Sequence, residues 1–230
     1  MRSPRRCESI GYAEPAPLRE YLAMPNAREI VTFDDAPPPP GESPWVAGRG
    51  PMTELRLVAS DRSWPETYRM LAAVITEALG GFALAVEHVG STAVPGLLAK
   101  PVIDIDLTVA DSRDEHAYVP ALERRGFVLA VREPWWYEHR CLRREDPRRE
   151  DPACLLHVFS PDCAEAERHR IFRDWLRTHR EDCSLYAAAK TAALANTQAS
   201  GGHAMDHNAR KEPVVREIYG RAFDALGLTP

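Results

Sequence analysis

EHVGSTAVPGLLAKPVIDIDL, residues 87–107, is the stretch that decides how this chain folds. It takes in the end of a β-forming run, FALAVEHVG at 82–90, then a small-residue loop, and then VIDIDLTV at 102–109, where apolar and acidic residues alternate. The expectation is strand, loop, strand. On a strand, side chains at i and i+2 share a face about 6.6 Å apart. Asp104 and Asp106 therefore project together, while Ile103, Ile105 and Leu107 face the core. Two carboxylates this close need a cation between them, or one of them must take a proton. Magnesium shared with substrate phosphates is the common solution; the alternative is a pair of aspartates on the solvated face of an edge strand. Gly90-Ser91, which closes the first strand, favours the first reading, because a glycine followed by a small hydroxyl residue lets backbone amides and Oγ approach a phosphate closely.

Outward from this core the periodicity turns helical. Trp64, Tyr68, Leu71, Ala72, Ile75 and Leu79 recur at three and four, and Gly80-Gly81 ends the helix. Downstream, Ser112 is expected to cap a helix running to about Arg125, and Gly126 stops it before a strand, FVLAV at 127–131. Residues 137–159 read as a hairpin of YEHRCLRR and ACLLHVF, whose loop carries RREDP twice, at 143–147 and 148–152. After that the pattern is helical. Pro161 stands as a first helical residue, and Ile171, Phe172, Trp175 and Leu176 form an apolar stripe. Asp182 is placed to cap a second helix through Asn196, and a last helix runs from about Pro213 to Leu226. Strands first and helices afterward predict an α+β domain.

The chain has 230 residues and a net charge of −5, and ten of its 20 prolines fall within residues 1–51. DDAPPPPGESPW at 34–45 imposes extended polyproline backbone. Residues 1–51 are therefore expected to be a disordered extension, and 52–230 the folded domain. Acidic and basic residues are interspersed, so no basic field recruits nucleic acid. No run of about 18 apolar residues offers a membrane span. Arg5-Arg6 is not followed by the apolar segment of a signal peptide. Five cysteines without a CxxC pair suggest reduced thiols and a cytoplasmic protein. The phosphate-binding GxxxxGK[ST] loop of kinases is absent from the sequence.

Residues 87–107 resemble the signature of the GrpB family, and Gly-Ser followed by Asp-x-Asp is the arrangement of the nucleotidyltransferase superfamily typified by DNA polymerase β. The likeness continues in RSWPETYRML at 62–71, LLHVF at 155–159, FRDWLRTHREDCSLYAAAK at 172–190 and HNARKEPVVREI at 207–218, and it covers about 53–226. It implies a polymerase β-type mixed sheet packed with helices and a helical C-terminal part. The activity it implies is magnesium-dependent transfer of a nucleoside monophosphate from a nucleoside triphosphate to a small-molecule acceptor.

In that resemblance Asp104 and Asp106 hold magnesium, and Gly90 and Ser91 grip the triphosphate. The position of a third carboxylate is occupied by His157, a departure from the catalytic pattern. Histidine suits a general base but is a poor magnesium ligand beside oxygen, so a single-metal site or a site that only binds stays open. Lys100, Arg173 and Lys190 are expected to offset phosphate charge. Tyr186 shares a helical face with Lys190, and Lys211 joins them from the last helix. Glu87 is a candidate for the missing carboxylate. His88 either lines the pocket or is a buried hydrogen-bonded histidine. Trp135-Trp136 either stacks on a base or packs the core. The competing function is a non-catalytic nucleotide- or coenzyme-binding or partner-supporting module with the same fold.

Overall fold

The computed structural model describes residues 24–33, 37–145 and 153–229, and within them places six α-helices and five strands. The strands are β1 (Ala85–Val89), β2 (Val102–Thr108), β3 (Val128–Glu133), β4 (His139–Arg144) and β5 (Ala153–Phe159). They form one mixed sheet in the order β1-β2-β5-β4-β3. β2 pairs antiparallel with β1 and parallel with β5, which pairs antiparallel with β4. The aspartate-bearing strand is thus flanked on both sides, which removes the edge-strand alternative.

Ile103, Ile105 and Leu107 are fully buried, as their alternation with the aspartates requires. They pack against Trp64, Leu71, Ile75 and Leu79 of α2 (Trp64–Leu79) and against Tyr118 and Leu122 of α3 (Glu115–Glu123). Each such side chain contributes about 1.5–3 kcal/mol by leaving water. On the opposite face α4 (Ala164–Thr178) meets β1, and α5 (Arg180–Ala199) and α6 (Ala204–Ala225) pack on α4 and on each other. Leu176, Tyr186 and Ile218 build an apolar cluster there with Val94 and Leu97 of the loop after β1.

Several helix boundaries differ from those expected. α3 starts at Glu115, because the fully buried Ser112 donates its hydroxyl to the Glu138 carbonyl rather than capping a helix. Asp182 lies inside α5, where it accepts from the Trp175 indole at 2.6 Å and pairs with Arg221. Pro213 is interior to α6, whose start is set by a capping box between His203 and Asp206. Pro161 precedes α4, which begins at Ala164. The RREDP repeat begins inside β4 with Arg143 and Arg144, and its residues 146–152 lie outside the described residues. Cys141, Cys154, Cys163 and Cys183 are free thiols. Among the described residues no helix is long and apolar enough to cross a membrane.

Part of the proline-rich leader is packed onto the domain, which an unstructured extension would not be. Asn26 and Glu29 form a capping box that starts α1 (Ala27–Val31), and Ile30 is buried with Ile171, Tyr219, Ala222 and Phe223. Arg168 on α4 is only 1% exposed. Its Nη1 donates to the carbonyls of Glu29, Ile30 and Thr32 at 3.0–3.1 Å. Trp45 bridges to Val131 at the far edge of the sheet. A short capped helix and one buried isoleucine are local signals that a proline count obscures.

Candidate functional site

A cavity of about 550 Å³ lies between the aspartate-bearing face of the sheet and α4–α6, a size that suits a small organic ligand. Gly90 shapes one wall. Its backbone (φ +68°, ψ −169°) lies in a region essentially reserved for glycine, and a Cβ built there would sit 2.3 Å from Asp104 Oδ2. The chain can therefore turn against the carboxylate and enter a 3-10 turn, Ser91–Ala93, with Ser91 at the cavity.

Lys100, Lys190 and Lys211 line the same cavity. Lys190 donates to the Leu98 carbonyl at 2.7 Å, and Lys211 donates to the Tyr186 hydroxyl at 3.1 Å. The Tyr186 ring lies against both ammonium groups. Burial, helped by the neighbouring Lys211 and Lys100 charges, pulls Lys190 down to about 7, and burial also lowers Lys100. Near neutral pH an arriving anion therefore draws a proton onto Lys190. Binding of inorganic tripolyphosphate should take up protons at about pH 7.5 and weaken above it. Calorimetry in two buffers of different ionisation enthalpy reads this directly, and Lys190→Met should abolish the uptake. Without ligand the sign is set by the unfolded chain, which holds this proton up to about 10.5. Stability at this lysine therefore rises as pH climbs from about 7 towards 10.5.

His157 on β5 also faces the cavity, with its Nε2 3.9 Å from Asp104 Oδ1. Its other nitrogen, Nδ1, meets His139 Nε2 at 3.0 Å, and His139 Nδ1 meets Glu133 Oε2 at 2.7 Å. The Glu133 carboxylate can only accept, which sets the direction of the first two hydrogen bonds. Burial holds His139 below the usual histidine range and so neutral; it donates Nδ1–H to the carboxylate and accepts at Nε2 from His157 Nδ1–H. His157 Nε2 is left turned towards the cavity and Asp104, where a histidine nitrogen can exchange a proton with a bound group. Asp104 is held below the usual carboxylate range: burial would raise it, but His157, Lys100 and His169 outweigh that.

Asp106 has a different role from the one expected. It is 5% exposed and does not line the cavity. Both of its oxygens lie at 2.9–3.2 Å from His169 Nδ1, and Glu165 lies 3.3 Å from the other ring nitrogen. Burial would lower His169, but the two carboxylates outweigh it and hold the ring well above the usual range. An imidazolium thus supplies the cation that a carboxylate pair demands. Among the described residues no group of three or more His, Cys, Asp or Glu side chains is placed to hold a metal ion.

Arg173 also lies outside the cavity lining. It bonds Glu87, the His88 carbonyl and Asp174, so it ties α4 to β1 rather than facing phosphate. The same ion pair engages Glu87, which lies opposite Asp106 in the sheet register but supplies no carboxylate to the cavity. His88 is a buried histidine, stacked on Tyr68 and bonded to Thr92, and burial lowers it to about 4. Trp136 lines the cavity. Glu165 and His169 are four apart on α4, but no local spacing ties that pair to Asp106, and none ties Glu133 and His139 to His157.

Sheet, helices and cavity together define an α+β domain with a cation-lined cleft over an aspartate strand in the interior of the sheet. Residues 54–221 match the family model described as GrpB protein, and the chain belongs to that family. It is 44% identical over 168 residues to the UPF0157 protein BH1888 of Halalkalibacterium halodurans, covering 73% of this chain and 82% of the relative. It is 36% identical over 177 residues to the UPF0157 protein SCO7215 of Streptomyces coelicolor, covering 77% and 89%. A weaker likeness, 29% over 194 residues, links 74% of the chain to 46% of a dephospho-CoA kinase of Mycolicibacterium paratuberculosis. The crystal structure of the conserved protein GrpB from Enterococcus faecalis shares the fold, with a TM-score of 0.62 and 24% identity. That match covers 74% of this chain and 99% of the solved one.

Proposed function

We propose that the cavity binds a nucleoside triphosphate and transfers its nucleoside monophosphate to a small-molecule acceptor, on a polymerase β-type nucleotidyltransferase scaffold. The observation that carries this reading is the convergence of the Gly90-Ser91 turn, three lysines, Asp104 and His157, whose Nε2 faces the cleft, in one place. The turn and the lysines hold the β- and γ-phosphates and offset their charge. His157 Nε2 takes the proton of the acceptor hydroxyl as its oxygen bonds to the α-phosphorus. The bond from the α-phosphorus to the bridging oxygen breaks, and pyrophosphate leaves. In such a reaction the protein chiefly positions groups and neutralises charge.

The donor set fits one magnesium ion, held by Asp104 together with the ligand's own phosphate oxygens, and it does not fit a two-metal pair while Asp106 is bonded to His169. Bound there, the ion would supply further charge neutralisation on the phosphates.

The test is titration of the protein with each nucleoside triphosphate, with and without magnesium, while pyrophosphate is measured. Magnesium-dependent release that Asp104→Asn removes, with binding retained, supports the proposal. Binding indifferent to magnesium, with no pyrophosphate, favours a second reading, a nucleotide- or coenzyme-binding module. The closure of Asp106 by His169 and the partial likeness to a dephospho-CoA kinase favour that reading.

A further inference from the structure

Phe33 belongs to the leader, upstream of residues 54–221 that match the family, yet it lines the same cavity as Asp104 and Lys190. A row of aromatic rings connects it to the cationic end. Phe33 meets Tyr219 at a centroid distance of 5.4 Å, Tyr219 meets Phe172 at 4.8 Å, and Phe172 meets Tyr186 at 5.1 Å. The Lys190 and Lys211 ammonium groups lie 5.1 and 5.5 Å from the Tyr186 ring. The lysines and Phe33 therefore stand at opposite ends of the row, three ring contacts apart.

The position of Phe33 is fixed by the domain. The Arg216 guanidinium lies 3.6 Å from its ring centroid and that of Arg168 4.9 Å. Arg168 also grips the Glu29, Ile30 and Thr32 carbonyls immediately upstream. Trp136, which packs on His139 and Phe159, is a further aromatic side chain of the lining. One end of the cavity is thus suited to phosphate, and the other, where the Arg216 guanidinium lies over the Phe33 ring, to a flat group with a π-face.

We propose that Phe33 is a specificity-determining residue: the leader supplies the end wall of the cavity, and Phe33 contacts the nucleobase of a ligand whose phosphates lie at the lysines. The proposal rests on reading the cavity as a nucleotide site, and it gives the leader a role in ligand choice beyond that reading. A domain without this segment would hold the phosphates and discriminate poorly between what they carry.

The experiment compares the full-length protein with Phe33→Leu and Phe33→Ala, titrating each with the four nucleoside triphosphates in turn and with inorganic tripolyphosphate. Leucine keeps apolar packing on Tyr219 and Phe223, so it guards against a merely unfolded variant. The expected result is that wild type binds at least one nucleotide more tightly than tripolyphosphate. Both variants should lose roughly tenfold of nucleotide affinity, with tripolyphosphate changed less than about twofold, and Phe33→Tyr should restore nucleotide binding. Equal losses for nucleotide and tripolyphosphate would overturn the role of Phe33 and leave the phosphate site standing. Wild type that binds tripolyphosphate as well as any nucleotide would overturn that role in the same way. Failure of every probe to bind would remove both the proposal and the nucleotide reading beneath it.

Discussion

Gly90→Ala is expected to destabilise the domain by about 2–4 kcal/mol and to weaken anion binding sharply. Two costs combine. An alanine must adopt φ +68° with ψ −169°, a conformation that L side chains rarely occupy. Its Cβ would also meet Asp104 Oδ2, Cβ and Cγ at 2.3–3.0 Å. Asp104 cannot easily move away, because it lies on a strand paired on both sides, opposite Val89 and Leu155. The 3-10 turn after Gly90 must shift instead, and Ser91 moves with it. Urea denaturation gives the stability change and tripolyphosphate titration the binding loss. A variant as stable as wild type would show that the turn and the carboxylate are not in the contact described.

Arg168→Ala should cost about 3 kcal/mol and release the leader. Its guanidinium is buried among the three leader carbonyls, the Tyr137 hydroxyl at 2.7 Å and Glu165 at 2.7 Å. Removing one partner of a buried pair leaves the other poorly compensated, which typically costs about 3–5 kcal/mol; here Glu165 keeps His169, so the lower end applies. Glu165 stands at about 2 in the intact protein: burial would raise it, but His169 and Arg168 outweigh that. Without Arg168 it should titrate at higher pH. Limited trypsin digestion monitors the leader, since Arg28 is exposed and held only by the docking of α1. Faster cleavage at Arg28 together with a lower melting temperature is the expected pair of results. Unchanged cleavage would mean that the apolar docking of Ile30, Val31 and Phe33 keeps α1 in place.

How much of the site is legible in the sequence depends on whether the partners of a residue are close along the chain. Asp104 and Asp106 share a strand, so their common face and the burial of Ile103, Ile105 and Leu107 follow from alternation alone. Tyr186, Lys190 and Lys211 do meet in the cavity, two drawn together by helical spacing and the third by the resemblance of the last helix. The two carboxylates nevertheless part company in environment, because His169 arrives from α4, 63 residues downstream of Asp106, and no local pattern announces it. The Glu133–His139–His157 chain is hidden for the same reason: its members come from three strands brought side by side by the sheet order. Arg173 turns away from the cavity to Glu87 and the His88 carbonyl, and its neighbours Phe172 and Trp175 mark a boundary position without saying what lies across it. The packing of the leader is hidden by composition, since ten prolines outweigh the few residues around Asn26 and Ile30 that carry it.

The parallel pairing of β2 with β5 has a consequence for how the protein comes into being. Asp104 and Leu155, its register partner, are separated by α3, β3 and β4, so the strand that carries the aspartates cannot be completed by local closure. Such long-range pairing folds slowly. The cleft waits longer still, since Lys211 and Arg216 sit on the last helix. The cavity therefore forms only once α6 has docked, and appearance of anion binding in a refolding experiment should trail the burial of Trp64 in the first helix–sheet core.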